Sequence, residues 1–196
     1  MKSLREKLKS YKVLLASKSP RRRQLLRDMG IDFETISKDT GEDFDESLKP
    51  EEIACLLSRK KSEAFAESEL PPNYLLITAD TIVVLGNAIL NKAKDYSEAS
   101  RMLQMLSGKS HQVITGITLR SKQKTLSFSE QSEVIFDHLS QEDIDWYINH
   151  FQPFDKAGAY GIQEWIGYIG IKKINGSFYN VMGLPTHHLY VALKQF

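Results

Sequence analysis

Cysteine occurs once, at Cys55, in a chain of 196 residues. An internal disulfide is therefore excluded, and a reducing compartment is the expectation. An excess of one charge is missing too. The 26 Lys and Arg residues stand against 25 Asp and Glu, a formal net charge of +1, whereas a general nucleic-acid coat would carry a basic surplus. No apolar run is long enough to span a membrane, and Met1-Lys2-Ser3-Leu4-Arg5-Glu6-Lys7 is too charged for a secretory leader. These absences predict a cytoplasmic protein whose partners include neither membrane nor nucleic acid. Familiar catalytic signatures are absent as well. The histidines have no His-Glu-x-x-His spacing, and there is neither a Gly-x-Ser-x-Gly elbow nor a Gly-x-x-x-x-Gly-Lys-Ser/Thr loop. A covalent mechanism and a P-loop ATPase are thereby disfavoured.

What remains is an ordinary globular composition, 41% hydrophobic and 26% charged, in one domain of residues 1–196 that can form two lobes. Val13–Ala16 reads as a short buried strand, followed by a helix from Pro20 to Met29 that closes at Gly30. Phe33–Ile36 reads as a strand, and Pro50 opens a helix running to about Ser68. Tyr74–Leu85 has the apolar, β-branched character of a central strand, and Gly86-Asn87 turns it into a hairpin. A helix over Ser97–Leu106, extended stretches over His111–Arg120 and Thr125–Phe136, and a Ser140-capped helix to about His150 follow. A glycine-rich segment from Gly158 to Gly170 leads into a strand over Ile171–Ile174, and a last helix starts at Pro185. The alternation predicts an α/β fold: a mixed twisted sheet flanked by helices, two lobes with a central cleft. Cys55 lies among Ile53, Ala54, Leu56 and Leu57 and reads as a packed thiol.

Five features have chemical content. Ser17-Lys18-Ser19-Pro20-Arg21-Arg22-Arg23-Gln24 is a strand-to-helix turn with Ser19 at the N-cap and Pro20 at the first helical position. Free backbone N–H groups and planar guanidinium forks there suit a polyphosphate; the plain alternative is a helix start with solvated arginines. Asp80 lies inside an apolar stretch, where a carboxylate must be paired, hydrogen-bonded or metal-bound; a buried turn-capping Asp is the other reading. The loop acids Glu42, Asp43, Asp45 and Glu46 are not ranked by spacing, and with a magnesium ion one or two of them could face the arginine turn. Lys61 and Lys92 are further cations that also read as surface residues. In Lys156-Ala157-Gly158-Ala159-Tyr160-Gly161-Ile162-Gln163 the small residues permit close approach of a ligand. Tyr160 could pack beside a base and Gln163 could read a base edge; a small-residue turn without ligand is the alternative.

Five segments in order, Ser17-Lys18-Ser19-Pro20-Arg21-Arg22, Ala79-Asp80-Thr81, Leu106-Ser107-Gly108 with His111-Gln112-Val113, Lys156 to Gln163, and Val181-Met182-Gly183-Leu184-Pro185, resemble the signatures of the Maf-like nucleotide pyrophosphatases, a family also called septum-formation-inhibitor-like. The resemblance runs along nearly the whole chain. It implies hydrolysis of a nucleoside triphosphate between its α- and β-phosphates with a divalent cation (Mg2+, Mn2+ or Co2+), and in many members a homodimer. By position it makes Asp80 the catalytic acid–base residue or a metal ligand with Glu42. It makes Lys61 and Lys92 catalytic cations, Ser17 and Arg21 substrate-binding residues, and Arg22, Thr81 and Gln163 the residues of nucleotide selectivity. Ala157 to Gln163 is similar to the branch that prefers dTTP and UTP, with modified pyrimidine nucleotides as further candidates. The chain departs from the usual pattern at Thr78, Ala93 and Glu164. The rival reading is a non-catalytic nucleotide-binding regulator of cell division, for which Asp80 and the lysines have less reason to be present.

Overall fold

The computed structural model describes residues 3–41, 43–45 and 47–196. Helix α1 (Leu4–Leu8) precedes strand β1 (Lys12–Ala16), helix α2 (Pro20–Asp28) and strand β2 (Glu34–Ile36). Next come helix α3 (Pro50–Glu63), the long strand β3 (Tyr74–Leu85), its hairpin partner β4 (Ala88–Leu90) and helix α4 (Tyr96–Leu106). Strands β5 (Ser110–Arg120) and β6 (Thr125–Phe136) are followed by helices α5 (Gln141–Phe151) and α6 (Trp165–Gly170) and strand β7 (Ile171–Asn175). Helices α7 (Phe178–Val181) and α8 (Thr186–Gln195) end the chain. The strands form one seven-stranded sheet in the order β2-β1-β3-β5-β6-β7, with β4 on β3. β1 runs parallel to β2 and to β3, whereas β4 on β3 and β7 on β6 are antiparallel. The mixed α/β expectation is met.

The chain divides into two compact units. The first comprises Met1–Asp80, Thr115–Glu130 and Gly183–Phe196, and the second Thr81–Ile114 and Gln131–Met182. In the first, β1 and the start of β3 pair from Lys12 with Tyr74 to Leu15 with Ile77. Both strands are almost continuously buried, as a parallel strand covered on both faces must be. Helix α3 buries Ile53, Ala54 and Leu57. It lies so close to β5 that a Cβ on Gly116 would come within 2.1 Å of the Ala54 carbonyl oxygen, so only glycine fits there. In the second unit α4 and α5 pack together, and Leu103, Leu106, Phe136, Ile144, Tyr147 and Ile166 share one core.

Three expectations change. Helix α3 stops at Glu63, well before Ser68. The chain turns at Ala64 to bury Phe65 against Leu14 and Leu76, and Pro71 holds Leu70 in an extended conformation (φ −105°, ψ 147°). The glycine-rich segment contains helix α6, because Ile166 is drawn wholly into the core and overrides the low helix propensity of its neighbours. The short helix α7, capped by the Ser177 side chain on the Asn180 N–H, was not foreseen.

Candidate active site

The β1–α2 corner belongs to the first unit. Ser19 is extended (φ −67°, ψ 120°), and its hydroxyl accepts from the Arg22 N–H at 3.4 Å, while Pro20 starts the helix. The Ser17 hydroxyl accepts from the Ser19 N–H at 3.2 Å, tightening the turn. Arg22 Nε donates to the Gly183 carbonyl oxygen at 2.7 Å, so one edge of its fork is anchored to the backbone. Burial lowers the proton affinity of the Arg22 guanidinium, and the Arg21 charge acts in the same direction. The Asp80 carboxylate opposes both, and a guanidinium stays charged at neutral pH regardless. Arg22 is thus near enough to both Arg21 and Asp80 to feel their charges.

Asp80 is only 7% exposed. Its Oδ1 is ion-paired and hydrogen-bonded with Lys61 Nζ, reached from helix α3. Here the counter-charge that a buried carboxylate needs comes from the chain itself. A ladder of buried hydroxyl groups sets helix against strand directly beside this pair. Thr78 Oγ1 donates to the Ser58 carbonyl oxygen at 2.7 Å. Ser58 Oγ lies 2.9 Å from Thr118 Oγ1, which lies 2.9 Å from Ser127 Oγ. Thr78 and Asp80 project from the same face of β3, and Ser58 and Lys61 are one turn apart on α3. The first unit therefore brings together Ser17, Arg21, Arg22, Lys61 and Asp80.

Glu42, the second expected metal ligand, lies outside the described residues, as does Glu46. Of the described loop acids, Asp39 pairs with Lys18 at 2.6 Å and Asp45 caps the Ser47 N–H at 2.9 Å, while Asp43 is held through its backbone carbonyl, which accepts from Lys60. Among the described residues no group of three or more His, Cys, Asp or Glu side chains could hold a metal. Asp80 alone fits a hard cation such as Mg2+, which asks the protein for one or two carboxylates and takes its other oxygens from phosphates and water.

The other candidates lie in the second unit. Thr81 is half-buried and follows Asp80 in β3. Lys92 is exposed; its backbone forms an antiparallel bridge with Ala157, and the Gly158 N–H donates to the Leu90 carbonyl at 3.1 Å. The segment bearing Lys92, just after β4, and the segment bearing Gln163 are thereby tied together. Gln163 is half-buried, with Nε2 at 3.4 Å from Glu164 Oε1 and Oε1 buried without a hydrogen-bond partner among the described residues. Tyr160 is not free to pack beside a base. It is 5% exposed, its hydroxyl is 2.8 Å from His111 Nε2, and its ring stands edge-on to His111 and Phe136. Burial pushes the Tyr160 phenol up and lowers His111 to about 4.

Sequence reasoning missed a clamp around Glu164. Its Oε1 is 3.0 Å from Lys156 Nζ, and its Oε2 accepts from the buried Tyr147 hydroxyl, which in turn accepts from the Gly161 N–H at 3.0 Å. Lys156 is 7% exposed. A lysine amid small and apolar residues was the available signal, since a buried ammonium requires a partner. Cys55 is half-buried and its thiol is pushed up, chiefly by burial, as a packed thiol should be.

Residues 12–196 match the family described as Maf-like protein. A dTTP/UTP pyrophosphatase of Porphyromonas gingivalis is 50% identical over 193 residues, covering 97% of each chain. One from Parabacteroides distasonis is 49% identical, covering 97% of this chain and 99% of its own. One from Christiangramia forsetii is 47% identical, covering 98% and 97%. With the family match running to the last residue, and relatives about half identical along nearly their whole length, this chain belongs to the Maf-like protein family.

Proposed function

We propose that this chain is a nucleoside triphosphate pyrophosphatase that hydrolyses dTTP and UTP, and pyrimidine nucleotides modified away from the recognised edge, to the monophosphate and pyrophosphate. The observation that carries the reading is the pairing of Lys61 with the buried Asp80, within electrostatic reach of Arg22 in the β1–α2 corner. Support comes from relatives named dTTP/UTP pyrophosphatase at about half identity.

The α-phosphorus is attacked by water and the bond to the β-phosphate breaks. The α2 N-terminus and the Ser17, Arg21 and Arg22 side chains grip phosphate oxygens, drawing on aligned N–H groups and guanidinium forks. Asp80 orients the water and takes its proton. Lys61, held against Asp80, shares its charge between that carboxylate and the charge growing on the leaving pyrophosphate. A divalent cation held by Asp80, with Glu42 as the further carboxylate, would polarise the phosphate oxygens. Thr81 and Gln163 are proposed to select the nucleotide and Lys92 to supply a further positive charge. We also propose that the enzyme works in the cytoplasm as a homodimer, with residues 1–196 as one functional domain. Among the described residues no helix is long and apolar enough to cross a membrane.

The test is pyrophosphate release from dTTP and UTP with product masses recorded, in the native protein and in Asp80→Asn. The native protein should yield monophosphate and pyrophosphate, and the variant should fold normally yet lose about a thousandfold in kcat. Nucleotide binding without turnover by the native protein would instead support the regulator.

A further inference from the structure

Val181-Met182-Gly183-Leu184-Pro185 is a signature segment that the proposed chemistry leaves without a task. Helix α7 ends at Val181, and Gly183 turns the chain toward α8 with φ +109°, a conformation open to glycine and strained for any residue with a Cβ. Leu184 is wholly buried, and Pro185 after it disfavours any helical conformation at Leu184. The buried Gly183 carbonyl is therefore held from both sides, by a glycine-only φ and by the anchored Leu184-Pro185. It accepts from Arg22 Nε at 2.7 Å, and both residues belong to the first unit. A glycine just past a helix end is common for the sake of the helix alone. Here its carbonyl also holds an arginine that is fixed at its other end, where the Arg22 N–H donates to the Ser19 hydroxyl at 3.4 Å. A guanidinium is planar. An Nε–H bond aimed at a fixed acceptor, together with the Cδ–Nε bond, defines the plane in which its other N–H groups lie.

We propose that Gly183 is a positioning residue for Arg22: its carbonyl holds the guanidinium in the orientation in which it meets the phosphate oxygens of the nucleotide. This rests on the reading above that Arg22 grips the phosphates. An unanchored arginine has many rotamers to lose when it closes on a ligand. Anchored at Nε, Arg22 has given up much of that freedom before the nucleotide arrives, so more of each charge-assisted contact is expressed as affinity. A side chain at residue 183 drives φ out of the left-handed region, re-aims the carbonyl and releases Arg22. Gly183 brings no charge and no side-chain donor of its own, so its effect on affinity runs through the arginine.

Calorimetry with the non-hydrolysable α,β-imido analogue of dTTP, at saturating Mg2+, tests this in the native protein, Gly183→Ala, Arg22→Met and the double variant. Gly183→Ala should bind the analogue about tenfold more weakly than the native protein, the scale of one rotamer-rich side chain left mobile. In the Arg22→Met background, which has no guanidinium to orient, the same change should cost less than about twofold. A glycine that only closes α7 would cost the same in both backgrounds or nothing in either, and each of those results overturns the proposal. Melting temperatures establish which variants fold. Should Gly183→Ala not fold, Pro185→Ala, which unlocks Leu184, takes its place in the cycle. A loss of about threefold or more that disappears beside Arg22→Met then supports the proposal, and its absence overturns it. Native affinity in Arg22→Met alone refutes the phosphate grip of Arg22, and this proposal with it. Pyrophosphate release from dTTP is measured in parallel. Its absence refutes the hydrolase reading, while the binding cycle still decides the task of Gly183.

Discussion

The Thr78 hydroxyl donates to the Ser58 carbonyl oxygen at 2.7 Å, tying strand β3 to helix α3 two residues before Asp80 and one turn before Lys61. Thr78→Val keeps the branched shape and removes the donor. It should cost about 1 kcal/mol of stability and lower kcat about tenfold with KM little changed, because the pair loosens more than the phosphate grip. Thr78→Ser should restore most of kcat. Steady-state kinetics on dTTP with paired melting curves check both.

Lys61→Met leaves the Asp80 carboxylate buried without its ammonium. Because Lys61 is partly exposed, with 21% of its side chain accessible, the penalty falls below that of a fully buried pair, at about 1–3 kcal/mol. Adding Asp80→Asn should recover most of that loss, since no uncompensated charge remains. Urea denaturation of the two single variants and the double variant gives the coupling.

Tyr147→Phe removes one hydroxyl that serves both Glu164 Oε2 and the Gly161 N–H. With Tyr147 fully buried, the orphaned groups should cost about 1–3 kcal/mol in urea denaturation.

Stability should also depend on pH through His111, which burial holds at about 4 against an ordinary 6.5. Between these values the unfolded chain binds the proton and the folded chain does not, so stability rises with pH across that window. The contribution is fully present above about 6.5 and is lost as pH falls toward 4, amounting to up to about 3 kcal/mol. His111→Gln, which can still bond the Tyr160 hydroxyl, should flatten the melting temperature between pH 4 and 6.5.

Much of the fold was legible because local signals agreed with tertiary demands. Ser19-Pro20 marked the start of α2, and the nearly continuous apolar run from Tyr74 to Leu85 marked both ends of β3. Asp80 stood out because a carboxylate in such a strand needs a partner, and Lys61 proved to be that partner. Side-chain contacts over long sequence separations were not legible. Nothing around Tyr147 signals that its hydroxyl meets Glu164, and nothing around Tyr160 signals that it meets His111. The end of α3 was misjudged for the same reason: the burial of Phe65 against Leu14 and Leu76, not local propensity, stops the helix.

The tight seat of α3 on Gly116 reaches beyond packing. A methyl group at 116 would meet the Ala54 carbonyl at 2.1 Å, so even the smallest substitution has to displace a helix. Lys61 rides on that helix. Evolutionary drift at a position that meets no nucleotide would therefore be filtered by turnover as well as by folding, and random mutagenesis scored for activity should find residue 116 as intolerant as the charged pair itself.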